Sequence, residues 1–130
     1  INNIQPIWAD SFLKSISNAK MGVNLSRGNP IKYYSSDRIT QLIGNGLLTF
    51  IHKDTHYNNF FSNDEIIFYD NLSDLSEKIL KYANDDISRI KISRNGRHKY
   101  FKYFNSSEVA NFIIEKTFEF NSKKFYWENK

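Results

Sequence analysis

Residues 35–51, Ser-Ser-Asp-Arg-Ile-Thr-Gln-Leu-Ile-Gly-Asn-Gly-Leu-Leu-Thr-Phe-Ile, leave the chain few choices of fold. A capped helix, a glycine stop and an apolar strand follow one another with no residue to spare. The hydroxyls of Ser35 and Ser36 are suited to the first free N–H groups of a helix. Ile39, Leu42 and Ile43 form its apolar face, and Gly44-Asn45-Gly46 ends it. Leu47 to Ile51 is then nearly continuous in apolar residues, as expected of a strand covered on both faces in a parallel sheet. The helix start also favours an anion, because several N–H groups point one way at the positive end of the helix dipole. A plain cap that binds nothing is the commoner use of such a start.

The rest of the chain repeats the alternation. Apolar residues at 8, 9, 12, 13 and 16 predict a short amphipathic helix, and Met21 to Leu25 a brief strand that ends in the turn-forming run Ser26-Arg27-Gly28-Asn29-Pro30. Residues 52–63 read as a polar and aromatic connection with one helical turn at Tyr57 to Phe61, and Ile66 to Tyr69 as a third strand. Asn71 is placed to cap a helix whose Leu72, Leu75, Ile79 and Tyr82 share a face. Asp85 or Asp86 caps the next, which begins with Ile87 and Ile90, and Ser106 or Ser107 starts a last one carrying Val109, Ala110, Ile113, Ile114 and Thr117. The expected fold is α/β, a Rossmann-like parallel sheet with flanking helices in one domain over residues 1–130, with the closing helices covering the sheet.

Composition narrows the chemistry. The 130 residues contain no cysteine, which removes disulfides, thiolate metal sites and cysteine nucleophiles. No apolar run approaches the roughly 20 residues that span a bilayer, and the first residues lack a signal-peptide pattern, so a cytoplasmic location is expected. The sequence starts with Ile and not Met, which suggests a fragment or a processed product. His52 and His56 have the spacing of a helical metal pair, but they sit in a loop of Lys, Asp and Asn with no third ligand, and no metal site is expected.

The succession Arg38-Ile39-Thr40-Gln41-Leu42-Ile43-Gly44-Asn45-Gly46-Leu47-Leu48 resembles a segment of GT-B glycosyltransferases, particularly the group related to the spore-maturation protein CgeB. In that group an arginine precedes a glutamate, and a small-residue turn leads into a strand. The likeness continues in order through Glu65 to Asp70, Leu72 to Ile79 and Ile92-Ser93-Arg94-Asn95-Gly96-Arg97, and so covers roughly Met21 to Phe104. It implies the later part of a C-terminal, donor-binding domain, with the acceptor-binding domain upstream of Ile1 and an isolated chain that is inactive. It further implies transfer of a sugar from a nucleotide-sugar donor, held as substrate with no cofactor and no bound metal, to an unidentified acceptor.

The donor-binding residues follow from the same resemblance. Backbone N–H groups at Ser35, Ser36 and Asp37, together with the cations Arg27, Lys32 and Arg38, face the diphosphate. Gln41 stands where the family's ribose-binding glutamate lies, keeping one acceptor and losing the charge. Many retaining members carry a second glutamate eight positions earlier. Tyr33 occupies that place, cannot supply a carboxylate, and is left as a wall of the pocket.

One rival reading is open. Arg89, Lys91, Arg94, Arg97, Lys99 and Lys102 stand against Asp86 alone between residues 86 and 104, a larger net positive charge than the +4 of the whole chain. Interleaved with Tyr100, Phe101, Tyr103 and Phe104, the stretch 89–102 suits a peripheral contact with an anionic membrane surface. No nucleic-acid fold motif accompanies it, so nucleic acid is the weaker partner. The plain alternative is a surface helix with aromatics packed inward and cations in water.

Overall fold

The computed structural model describes residues 5–26, 28–34, 37–120 and 122–129. Among these described residues, five helices and three strands succeed one another as α1 (Ala9–Asn18), β1 (Met21–Asn24), α2 (Arg38–Gly44), β2 (Leu48–His52), β3 (Ile67–Tyr69), α3 (Leu72–Asn84), α4 (Asp86–Tyr103) and α5 (Ser106–Thr117). Short 3-10 turns lie at Lys53–Thr55, Tyr57–Asn59 and Tyr126–Asn129. The strands form one sheet in the order β1-β2-β3, and both pairings are parallel, with Met21 opposite Leu48 and Phe50 opposite Ile67. The expected fold class is therefore the observed one.

The sequence around β2 explains its central place. Leu48, Thr49, Phe50 and Ile51 are all fully buried, because successive side chains point to opposite faces and both faces are covered. Leu48 and Phe50 join Ile67, Tyr69, Leu75, Tyr82 and Ile92 on the α3 side. Ile51 joins Ile39, Ile43, Phe61 and Ile66 on the α2 side. A smaller cluster of Ile16, Leu42 and Leu47, with Phe12 packed on it, holds α1 against α2.

The glycine stop works as a Schellman turn. Gly46 has φ of +78° and donates its N–H to the Ile43 carbonyl at 2.9 Å, while Leu47 donates to Leu42 at 3.0 Å. Leu42 and Leu47 also pack together, which supplies the apolar contact that goes with this motif. Arg97 of α4 donates its Nε–H to the Gly44 carbonyl at 3.0 Å, placing a cation at the negative end of α2.

Several expectations need correction. α2 starts at Arg38, with Asp37 at its cap in helical backbone geometry and no side-chain cap bond; the proposed caps Ser35 and Ser36, and the site residue Arg27, lie outside the described residues. Of the predicted apolar face of α1, only Ile16 is buried and Phe12 is half-buried, while Trp8 and Leu13 are exposed. α5 forms at the predicted place with Asn105 as its cap, accepting from the Glu108 N–H at 3.0 Å, but it buries none of its residues and does not cover the sheet. The sheet is instead covered by α2, α3 and α4, and Phe125 from the C-terminal segment is buried among Phe112 and Trp127.

Candidate functional site

In a parallel sheet the carboxyl ends of the strands and the following loops form one edge, and ligands bind outside that edge. Here the edge carries Leu25 and Ser26 after β1, His52 at the end of β2 and Asp70 after β3. A cleft of about 900 Å³ opens beside the β1 end. Asp37, Arg38 and Gln41 at the start of α2 line it together with Leu25, Ser26, Tyr34 and, from the α1 side, Ile7, Trp8 and Phe12.

Each wall has a local cause. The first helical bond of α2, from the Gln41 N–H to the Asp37 carbonyl at 3.2 Å, sets Arg38 and Gln41 one turn apart on the cleft side. Arg38 donates an Nη2–H to the Leu25 carbonyl at 3.0 Å, which ties the loop after β1 to α2 and fixes one wall. Trp8 precedes α1 in extended geometry, and its side chain is largely exposed. Ala9 follows with φ of +47°, a left-handed conformation that a residue with a Cβ rarely adopts.

The two remaining described candidates lie elsewhere. Tyr33, at φ of +59°, donates its backbone N–H to the Thr55 carbonyl at 2.8 Å, and its hydroxyl accepts from Asn59 at 2.6 Å. Its ring packs on His56 and Phe60, and Lys32 Nζ sits 4.9 Å above that ring. Neither residue lines the cleft. The structure thus brings together Asp37, Arg38 and Gln41, and sets Lys32 and Tyr33, from the same β1–α2 connection, apart against the connection that follows β2.

The carboxyl ends of β2 and β3 are chemically different from that of β1. Lys53 pairs with Asp70 at 2.5 Å, and that carboxylate, by hydrogen bond and charge, raises the ammonium above its ordinary range. Lys78 bonds both the Phe68 carbonyl and Asp74 at 2.8 Å. These cations are neutralised in place. His52 accepts the Asp54 N–H at 3.2 Å on Nδ1 and meets Tyr69 edge to face. Among the described residues no group of three His, Asp or Glu side chains converges as metal ligands would.

Sequence reading missed Trp8 and Tyr34 as cleft residues. Trp8 falls on the helical period of α1 and so counts as core; the signal against that is a tryptophan in a cap position, where a small oxygen-bearing side chain normally serves.

The basic stretch is divided by packing. Arg89 is buried, pairing with Asp86 and donating to the Tyr82 carbonyl. Lys99 bonds Glu65 at 2.7 Å and lies over the rings of Phe61 and Tyr126, and Arg97 caps α2. Lys91, Arg94 and Lys102 are left on the exposed surface. No helix among the described residues is long and apolar enough to cross a membrane.

A helix-flanked parallel sheet with its cleft at the carboxyl edge is a partial Rossmann-like arrangement of the GT-B kind, and the sequence comparison agrees. Residues 1–115 match the model of a family described as glycosyl transferase-like, and the chain belongs to that family. No curated protein and no solved structure matches it.

Proposed function

We propose that this chain is the C-terminal, donor-binding part of a GT-B glycosyltransferase of the CgeB-related kind, and that it holds a nucleotide-sugar whose sugar passes to an acceptor bound by another domain. The observation that carries the reading is the cleft at the carboxyl end of β1. It gathers Arg38 and Gln41 from the segment that resembles the family's donor-binding one, in a chain that belongs to a glycosyl transferase-like family. In this reading Arg38 and the N–H groups at the start of α2 face the leaving diphosphate, whose charge grows as the sugar–oxygen bond breaks. With only 7 residues in α2, the guanidinium contributes more than the helix dipole. Gln41 accepts from a ribose hydroxyl. Arg27 beyond Ser26 serves an extended donor, and Ser35 and Ser36 the phosphate edge; Lys32, further along the same connection and outside the cleft, has no part in it.

The test is calorimetric titration of nucleoside diphosphates into wild-type and Gln41→Ala protein. Gln41→Ala weakens binding by about 1 kcal/mol, the usual worth of a neutral hydrogen bond. Equal affinities would remove Gln41 from the site. Arg38→Ala is informative only beside a thermal melt, because Arg38 also braces the loop after β1. Without its acceptor-binding partner the chain by itself transfers no sugar; robust turnover with a simple acceptor would refute that boundary.

A further inference from the structure

α2 has 7 residues and no side-chain bond at its Asp37 cap. That is roughly half the length at which a helix begins to persist in water on its own. Its buried Ile39, Leu42 and Ile43 hold it in place by apolar packing. Such packing is non-directional, and by itself it does not fix the rotation of so short a helix about its axis. The bond from Arg38 to the Leu25 carbonyl steadies the first turn, but it does so through a side chain that lines the cleft.

α4 supplies directional contacts from outside the cleft. Tyr100 donates its hydroxyl proton to Thr40 Oγ1 at 3.0 Å, and Arg97 donates its Nε–H to the Gly44 carbonyl at 3.0 Å. The donors are one turn apart on α4 and the acceptors one turn apart on α2, so the pair of bonds resists both rotation and sliding. Both donors are themselves held. The Tyr100 ring stacks on Phe104 at 6.1 Å and packs against the Ile39 and Ile43 cluster, and the Arg97 guanidinium lies 5.2 Å from the centre of the Phe101 ring. Neither Tyr100 nor Arg97 lines the cleft, whereas Gln41, which directly follows Thr40 and stands three residues before Gly44, does. We propose that Tyr100 and Arg97 are positioning residues that act through α2, fixing its rotation so that Arg38 and Gln41 stay directed at the cleft; this rests on the donor-binding reading above.

Three substitutions separate this role from packing. Tyr100→Phe keeps the ring stack and removes the hydroxyl, Thr40→Val removes the acceptor of the same bond, and Arg97→Met keeps the aliphatic stem and removes the donor. Uridine, guanosine, adenosine, cytidine and thymidine diphosphates are titrated calorimetrically into the wild-type chain, and one that binds is carried through the variants. The temperature is one at which melting curves show every variant fully folded, so a loss of stability alone leaves the affinity unmoved. Tyr100→Phe and Thr40→Val each lower the affinity about three-fold, and together they lower it no further, because they break one bond. Tyr100→Phe combined with Arg97→Met lowers it about ten-fold. In a Gln41→Ala background the effect of Tyr100→Phe shrinks, because part of what it positions is gone. A nucleoside diphosphate that depends on Gln41 but binds all three variants as tightly as wild type overturns the positioning role and leaves the donor reading intact. A loss in Tyr100→Phe that Thr40→Val does not share, or one that adds in full to that of Gln41→Ala, also overturns it. Binding that Gln41→Ala leaves unchanged takes Gln41 out of the site and the positioning role with it. Binding of none of the five overturns both.

Discussion

Gly96 is the residue on which the placement of α4 depends. A Cβ there would come within 2.1 Å of the Glu65 carbonyl oxygen, a backbone atom that cannot swing aside as a side chain could. Glu65 is itself held, since its carboxylate accepts from the Ser62 N–H and from Lys99, both at 2.7 Å. Alanine is the better helix former by about 1 kcal/mol, yet Gly96→Ala is expected to destabilise by about 1–3 kcal/mol, the usual cost of overpacking. Gly44, also helical, has open space where its Cβ would go. Gly44→Ala is expected to be neutral or stabilising by up to about 1 kcal/mol. Urea midpoints of the two variants separate the effects: a midpoint for Gly96→Ala at or above wild type would show that the contact yields.

At the scale of elements, α3 shows how polar groups fix a helix end. Asn71 accepts from the Asp74 N–H at 3.0 Å, and Asp74 in turn accepts from the Asp70 N–H at 2.9 Å and from Lys78 at 2.8 Å. The Lys78 hydrogen bond, then that of the Asp70 N–H, lowers the Asp74 carboxyl below its ordinary value of 3.8. Asp85, at the cap of α4, is lowered chiefly by Ser88. A depressed folded value stabilises above the unfolded one and loses that contribution as the pH falls through the folded one. The thermal midpoint is thus expected to fall as the pH drops below 3.8, and less steeply in Asp74→Asn. Parallel acid profiles for the two proteins would rule out Asp74 as a source of the acid sensitivity. These caps were readable in the sequence, as were the three strands and the glycine turn, because each depends on residues within about five positions of one another. Exposure was not readable in this way. Leu72 and Ile87 fall on the expected apolar faces of α3 and α4 yet are 78% and 85% exposed, and Val109, Ile113 and Ile114 of α5 also face water. Whether an apolar helix position is buried depends on what lies opposite it, and the period of a helix carries no information about that. The candidate site was half legible for the same reason: Asp37, Arg38 and Gln41 are close in sequence, while Trp8 and Tyr34 join them only through the fold.

Across the whole molecule, the cations of α4 divide into those the fold consumes and those it leaves outside, and the second set offers a test between a donor-binding domain and a basic adhesive surface. Lys99 belongs to the interior. Burial pulls its ammonium down, but the hydrogen bonds and charges of Glu65 and Tyr126 together outweigh that and hold it above its ordinary value. Its side chain and that of Glu65 are both largely buried, so Lys99→Met leaves the Glu65 carboxylate without its cation and with only its Ser62 hydrogen bonds. A loss of about 2 kcal/mol is expected, below the cost of breaking a fully buried pair. Lys91, Arg94 and Lys102 are exposed and none of them lines the cleft beside β1. Reversing all three to Glu is therefore expected to leave the thermal midpoint within a few degrees of wild type, as surface changes usually do, and nucleoside diphosphate affinity unchanged. The same variant abolishes whatever weak, salt-dependent attraction the protein has for anionic vesicles. Calorimetry, melting curves and vesicle sedimentation on the two variants are enough to decide. If the triple reversal weakened nucleotide binding while the fold survived, the anion site would lie on α4, and the cleft between α1 and α2 would lose its claim to the donor.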